Sequence, residues 1–371
     1  MPSQSESLTL SERFTLVLRV GAAGLHACAA GITYPFASKK LSTLGRDTSR
    51  VFIRHLVKRC NIAQLQWLLP SSTKAYLTWI KVEASKQGAP SIPVIDEVKG
   101  GAKIHWIGDK TAKKVIFFMH SGGFVLPLNN GHLNLANSFR RYIFDNSQIA
   151  VKVAFLEYTL VPHAIYPTQF RQAVEALKHI LDLNISPSDI VICGDSAGGL
   201  LCFQLLSHLL HPYPSFPVIS SDVPFAGILS MSPWLIFDSM APSYVDNGFD
   251  VLIPSQLRYW ADTFRNGTLI QNGSSENDGY WAEPRKAPND WWSGSERVVN
   301  NIMLTSGAWE ILHDDVQDFG KLLKEVRGDG VDVVEEADGI HIGPTMDSGA
   351  HRLPSELTGI ITRWVYERLT T

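Results

Sequence analysis

A short apolar run, Ile190–Cys193, ends in Gly194-Asp195-Ser196-Ala197-Gly198-Gly199 and passes directly into an apolar helical pattern over Ala197–Leu210. This segment constrains the fold more than any other. Gly194 and Gly198 mark a place where strand and helix pass too closely for a Cβ. Ser196 then sits on a tight, strained turn, with its hydroxyl aimed away from the sheet edge and the positive end of a helix dipole beneath it. A serine held this way can act as a nucleophile in acyl chemistry. The plainer alternative is a serine that caps a helix after a glycine turn.

The surrounding pattern is that of an α/β protein. Val94–Val98 and Lys103–Ile107 read as an antiparallel pair joined at Gly100-Gly101, and Val115–Met119 as a buried strand. Helical patterns over Leu133–Phe144, Gln169–Leu183, Ala197–Leu210, Val316–Val326 and Leu357–Leu369 alternate with strands at Ile149–Tyr158, Ile190–Cys193, Ala226–Ser230, Asn301–Thr305 and Val331–Glu335. Such alternation predicts a mostly parallel central sheet with helices on both faces, and functional loops at the carboxyl ends of its strands. With 45% hydrophobic residues the chain can bury a large core. A net charge of −3 argues against a nucleic-acid binder. Four cysteines without a C-x-x-C pair exclude a disulfide framework and a cysteine zinc site. Cys193 and Cys202 read as small buried hydrophobes.

A second motif follows the strand Val115–Met119, namely His120-Ser121-Gly122-Gly123-Phe124. Adjacent glycines let backbone N–H groups approach a ligand closely. In acyl transfer, the N–H groups of Gly122, Gly123 and Ala197 are the expected oxyanion donors. Together these motifs resemble the hormonesensitive-lipase-like esterases of the α/β-hydrolase fold, especially fungal members associated with secondary metabolism. That family carries an H-G-G-G oxyanion motif and a G-D-S-A-G-G elbow. All six residues Gly194–Gly199 match the elbow, and His120, Gly122 and Gly123 match the oxyanion motif, with Ser121 in place of its first glycine. Tyr158-Thr159-Leu160-Val161-Pro162 is similar to the family's Y-x-L-x-P, and Ser232-Pro233-Trp234 to its S-P-W. The resemblance covers roughly Val94 to Leu369 and implies a helical cap built partly from the preceding helices.

The resemblance also implies a triad in the chain order serine, acid, histidine. Aligning Leu312 and Asp314 with the family's acid motif places Glu310 as the acid, with Asp314 and Asp315 as rivals. After the strand Val331–Glu335, Ala337-Asp338-Gly339-Ile340-His341 supplies His341 as the base, with His351 as its rival. The resulting expectation is a serine-dependent carboxylic ester hydrolase, with Ser196, Glu310 and His341 catalytic and a hydrophobic small-molecule ester as substrate. It implies no metal, no organic cofactor and no nucleic-acid partner. The alternatives are an acyltransferase or cyclase using the same triad, or a non-catalytic ligand-binding protein on the same fold. Asp195 is expected to support the elbow by hydrogen bonds.

Two regions flank this core. Residues 1–90 are expected to form an N-terminal helical cap, and residues 91–371 a catalytic domain with a lid inserted at residues 237–300. Asp47, Thr48 or Ser49 is the expected cap of a helix over Val51–Arg59, followed by Ile62–Leu69 and by Tyr76–Ala84, capped from Ser71-Ser72-Thr73. In the apolar segment 14–36, Phe14, Leu18, Gly21, Leu25 and Cys28 fall on one helical face. Three readings stand for it: a helix docked on the protein through that face, an anchor at or across a membrane, and a cleaved signal peptide, which the preceding Glu6 and Glu12 disfavour. The expected location is intracellular, either cytoplasmic or peripherally membrane-associated. The insertion carries Trp260, Trp281, Trp291 and Trp292, with turns at Asn266-Gly267, Asn272-Gly273 and Asp278-Gly279. It reads as a pocket wall, or else as a peripheral insertion whose tryptophans cover the core. Asn184, Asn266 and Asn272 head chance-frequency glycosylation sequons.

Overall fold

The computed structural model describes residues 8–246, 248–265 and 278–371. The N-terminal helices are α1 (Leu10–Thr33), α2 (Leu44–Arg59), α3 (Ile62–Leu68) and α4 (Ser72–Lys86). The sheet then begins with β1 (Val94–Glu97), β2 (Lys103–Ile107) and β3 (Lys114–Met119). After these come α5 (Asn130–Ser147), β4 (Val151–Glu157), α6 (Thr168–Asp182), β5 (Ile190–Asp195), α7 (Ala197–Leu210) and β6 (Gly227–Met231). The insertion contributes α8 (Pro242–Asp246), α9 (Pro254–Arg265) and α10 (Asp278–Ala282). The chain closes with β7 (Ile302–Gly307), α11 (His313–Arg327), β8 (Val331–Glu336), α12 (Gly343–Gly349) and α13 (Glu356–Thr370).

The strands form one sheet in the order β1-β2-β4-β3-β5-β6-β7-β8. β1 and β2 are antiparallel additions at one edge, and from β4 to β8 all pairings are parallel. Side-chain alternation along the strands feeds two cores. Val115, Phe117 and Met119 of β3 join the face covered by α6, α7 and α11. Ile116 and Phe118 join the opposite face, with Phe139 of α5 and Ile361 and Trp364 of α13. The carboxyl ends of β3, β5, β6, β7 and β8 therefore lie side by side, and their loops share one edge.

The structure revises three local expectations. The helix expected from Val51 starts at Leu44, where Thr43 accepts from the Arg46 N–H. Asp47, Thr48 and Ser49 lie inside it because each finds a partner there: Asp47 pairs with Arg50, Thr48 back-bonds to the Leu44 carbonyl, and Ser49 accepts from Arg352. The expected docking face of α1 is its solvent face. Leu16 and Ala23 are buried, whereas Phe14, Leu18, Gly21, Leu25 and Cys28 are exposed. Both stripes are apolar, and small Ala23 belongs to the one that packs inward. Asp278-Gly279 opens α10 rather than forming a turn. Asn266-Gly267 and Asn272-Gly273, with their sequons, lie outside the described residues.

The tryptophans of the insertion divide by position. Trp292 is fully buried, edge-on to Phe203 of α7 and Phe319 of α11. Trp291 and Trp281 pack edge-on to each other, and the Trp291 indole donates to Ser207 Oγ (3.1 Å). These three cover the core. Trp260 alone of the four packs over the glycine loop after β3. Trp292→Ala is therefore expected to cost about 3–5 kcal/mol of stability. Urea unfolding measures it, and a cost below about 1 kcal/mol would mean that the residue does not hold α7 against α11.

Candidate active site

Ser196 lies at the junction of β5 and α7 with φ 53° and ψ −113°, a strained conformation for a residue with a side chain. Its surroundings fix that turn. The Ser196 N–H donates to the Met231 carbonyl (2.8 Å), and its own carbonyl accepts from the Leu200 and Trp234 N–H groups (2.9 and 3.1 Å). A Cβ on Gly194 would lie 2.3 Å from the Gly198 oxygen, and one on Gly198 would lie 1.9 Å from the Met119 oxygen. No side chain fits at either position, so glycine is required there.

The loop after β3 lies against this turn. Gly122 and Gly123 have φ of 106° and 61°. The Gly122 carbonyl accepts from Val125 and Leu126, which curls the loop over itself. Among the described residues neither the Gly122 nor the Gly123 N–H is matched to an acceptor. Tyr158 stacks on His120 (4.2 Å between ring centres), and its hydroxyl donates to the His120 carbonyl (2.8 Å). Burial, helped by nearby His132, pushes the His120 imidazole down to about 3.

Ser121 belongs to a buried polar chain. The Asn129 N–H donates to His132 Nδ1 (3.2 Å), and the Ser121 N–H to His132 Nε2 (3.3 Å). That nitrogen lies 2.8 Å from Ser121 Oγ and 3.4 Å from Asp195 Oδ2. Thr345 of α12 donates to the same Asp195 oxygen (2.9 Å). Burial opposes ionisation of Asp195, but His132 and Thr345 hold its carboxyl below the usual range.

Glu310 and His341 meet on the other side, in the loops after β7 and β8. His341 Nδ1 lies 3.3 Å from Glu310 Oε2, at ion-pair distance but short of a well-aligned hydrogen bond. Such pairs are often loosely aligned without substrate. Burial pushes the His341 imidazole down, but Glu310, then Asp250 and Asp195, more than offset it, so its pKa is raised above 6.5. The rivals lie elsewhere. Asp314 pairs with His313 (2.9 Å) and accepts from the Ser243 N–H (2.8 Å), and His351 is exposed. Ser232, just after β6, accepts from the Ile342 N–H (3.3 Å), so residues 231 and 232 touch both the Ser196 turn and the His341 loop.

Ser196 is 5% exposed and His341 3%, so the site is nearly sealed. A crevice of about 220 Å³ between α3 and α9, walled by Ile62, Gln66, Pro162 and Tyr259, holds none of the expected site residues. Gln66 joins it to the glycine loop by donating to the Val125 and Val161 carbonyls (2.9 and 2.8 Å). His132, Thr345 and Asp250 were not among the expected site residues; each is a polar side chain brought in from a distant part of the chain, without a local motif.

Comparison with known proteins gives a consistent picture. A family model described as alpha/beta hydrolase fold matches residues 116–343. An esterase of Gibberella moniliformis is 27% identical over 156 residues, which is 40% of this chain and 45% of that protein. Neutral cholesterol ester hydrolase 1 of Mus musculus is 21% identical over 252 residues, 62% of this chain and 60% of that protein. The chain thus spans about half the length of the curated relatives it matches. Among solved structures, an esterase from the bacterial hormone-sensitive lipase family superposes with a TM-score of 0.60 at 21% identity, covering 86% of this chain and 96% of that one. A fungal esterase structure from Rhizomucor miehei gives 0.61 at 17% identity, covering 86% and 95%. At these identities the structures speak to the fold.

Ser121→Gly removes one buried hydrogen bond and leaves Ser196 in place. It is expected to cost about 1 kcal/mol in chemical unfolding. A loss above about 3 kcal/mol would mean that Ser121 holds the loop backbone itself.

Proposed function

Because this chain belongs to the alpha/beta hydrolase fold family, we propose that it is a serine hydrolase of carboxylic esters. The observation that carries this reading is the strained Ser196 turn beside a glycine loop, with residues 231 and 232 linking that turn to the loop of His341, which faces Glu310. Relatives named as esterases support it.

In this mechanism Ser196 Oγ attacks the ester carbonyl carbon while His341 Nε2 takes its proton. The N–H groups of Gly122, Gly123 and Ala197 stabilise the oxyanion. As the tetrahedral intermediate collapses, the C–O bond breaks and His341 gives the proton to the leaving alcohol. Water, deprotonated by His341, then attacks the acyl carbon; the acyl C–Oγ bond breaks, His341 returns the proton to Ser196 Oγ, and the acid is released. Glu310 holds the Nδ1 proton and balances the imidazolium charge. The apolar surroundings favour a hydrophobic small-molecule ester, and secondary metabolism is the proposed setting. The near-sealed site also favours acyl transfer to an alcohol or an internal nucleophile, since excluding water protects the acyl-enzyme.

Intact-protein mass after fluorophosphonate treatment, together with p-nitrophenyl ester turnover, tests the assignment. Ser196→Ala is expected to lose both adduct and turnover with its unfolding midpoint nearly unchanged. Glu310→Gln is expected to lower kcat by about 10⁴-fold, far more than Asp314→Asn. Because neutral His341 is the base and its pKa is raised, kcat/KM should fall on acidification through a midpoint above 6.5. Normal turnover by Ser196→Ala would overturn the reading.

We further propose that the outer face of α1 rests on a lipid surface. The segment Leu10–Phe36 is long and apolar enough to cross a membrane. Its inner face is docked on α2, however, and the exposed face is apolar from Leu10 through Phe14, Leu25 and Ile32 to Phe36. A helix docked along one side lies in the interface rather than across it. The chain should float with phosphatidylcholine vesicles, and Phe14→Glu with Leu25→Glu should abolish flotation. A wild-type chain that stays unbound would refute the assignment.

A further inference from the structure

Asp250 lies in the insertion, between α8 and α9, and is fully buried. Its Oδ2 accepts from the Ile311 N–H (3.0 Å), the residue after Glu310. Its Oδ1 accepts from the His341 N–H (3.1 Å) and from the Val251 N–H (2.7 Å). One carboxylate thus joins the main chains of the two loops that present the acid and the base. From these contacts, and on the serine-hydrolase reading above, we propose that Asp250 is a positioning residue that sets the Glu310–His341 geometry and adds a second negative charge beside the imidazole.

The segment that carries Asp250 is itself held from outside the sheet. Arg54 of α2 donates to the Asp250 and Leu252 carbonyls (2.5 and 2.7 Å). Arg50, one turn earlier, donates to the Phe249 carbonyl (2.8 Å) and lies over the Phe249 ring at 3.8 Å. The chain of support therefore runs from α2, through residues 249–252, to the two loops. Among the described residues, the charged groups that bear on Asp250 include His341, Glu310 and Arg54. Burial raises its carboxyl to about 6, with Glu310 adding to the rise and His341 opposing it. Above that value Asp250 is an anion, and it helps to raise the His341 pKa. An aspartate used only to tie loops would not move the base's titration, and this separates the two roles.

The test uses the full chain and two readouts, the rate of fluorophosphonate labelling at Ser196 and p-nitrophenyl butyrate kinetics, each between about pH 5 and 9. Asp250→Asn keeps the shape but loses the charge and one acceptor. It is expected to leave KM within about threefold and to lower kcat by about tenfold or more, since small misplacement of a catalytic pair is costly. Its acid limb should move to lower pH by about half a unit or more. Should Asp250→Asn melt below assay temperature, Arg54→Met decides instead. It loosens the segment without touching the carboxylate, and is expected to lower kcat and the labelling rate together with KM little changed. A wild-type chain that labels at Ser196, with kcat and acid limb the same in Asp250→Asn, would overturn the positioning role alone. A reduced kcat with an unmoved acid limb would also overturn it, leaving Asp250 a structural tie. A wild-type chain that never labels would overturn the serine-hydrolase reading and this role with it.

Discussion

The arrangement of the site depends on one close contact between backbones. Where α7 leaves β5, Gly198 passes so near the end of β3 that a methyl group would fall on the Met119 oxygen. That approach sets Ser196 and the His120–Gly123 loop side by side, and it forces the turn into a conformation that costs about 1–3 kcal/mol in isolation. The strain persists because Met231, Leu200 and Trp234 all bind the Ser196 peptide groups. Neighbouring strands β3, β5 and β6 thus hold the serine from below and from both sides.

Electrostatics organise the other half. Asp195, Glu310 and Asp250 are all buried within reach of His341. Burying several carboxylates together is unfavourable unless each finds donors. Asp195 meets His132 and Thr345 through Oδ2 alone, its Oδ1 having no hydrogen-bond partner among the described residues, whereas Asp250 accepts from three backbone N–H groups. Glu310 faces the imidazole without a well-aligned partner, so its charge is left for that ring. The uneven satisfaction of three similar side chains divides the work among them.

The order of strands and helices was readable because apolar runs and helical periodicity persist along the sheet-forming part, and because glycines mark its crossings. The Ser196 turn was readable for the same reason: its requirements are local. Other features were not. Segment 14–36 carries two apolar stripes, and periodicity cannot tell which one meets α2; it is the stripe with Leu16 and Ala23. Tryptophan content announced burial but not the surface buried against, so Trp281, Trp291 and Trp292 proved to cover the core while Trp260 covers the glycine loop. Asp250 has partners 61 and 91 residues away and belongs to no motif. The available sign was a lone acid beside the apolar run Val251-Leu252-Ile253, a poor place for a charge without a purpose.

The arginines of α2 grip the insertion through the carbonyls of Phe249, Asp250 and Leu252. A main-chain carbonyl is the same whatever residue bears it, so these hydrogen bonds do not depend on which side chains follow. Evolution can therefore exchange a side chain such as that of Leu252 while the anchoring hydrogen bond to its carbonyl persists. Variation in this segment's side chains and its attachment to α2 thus become separable traits.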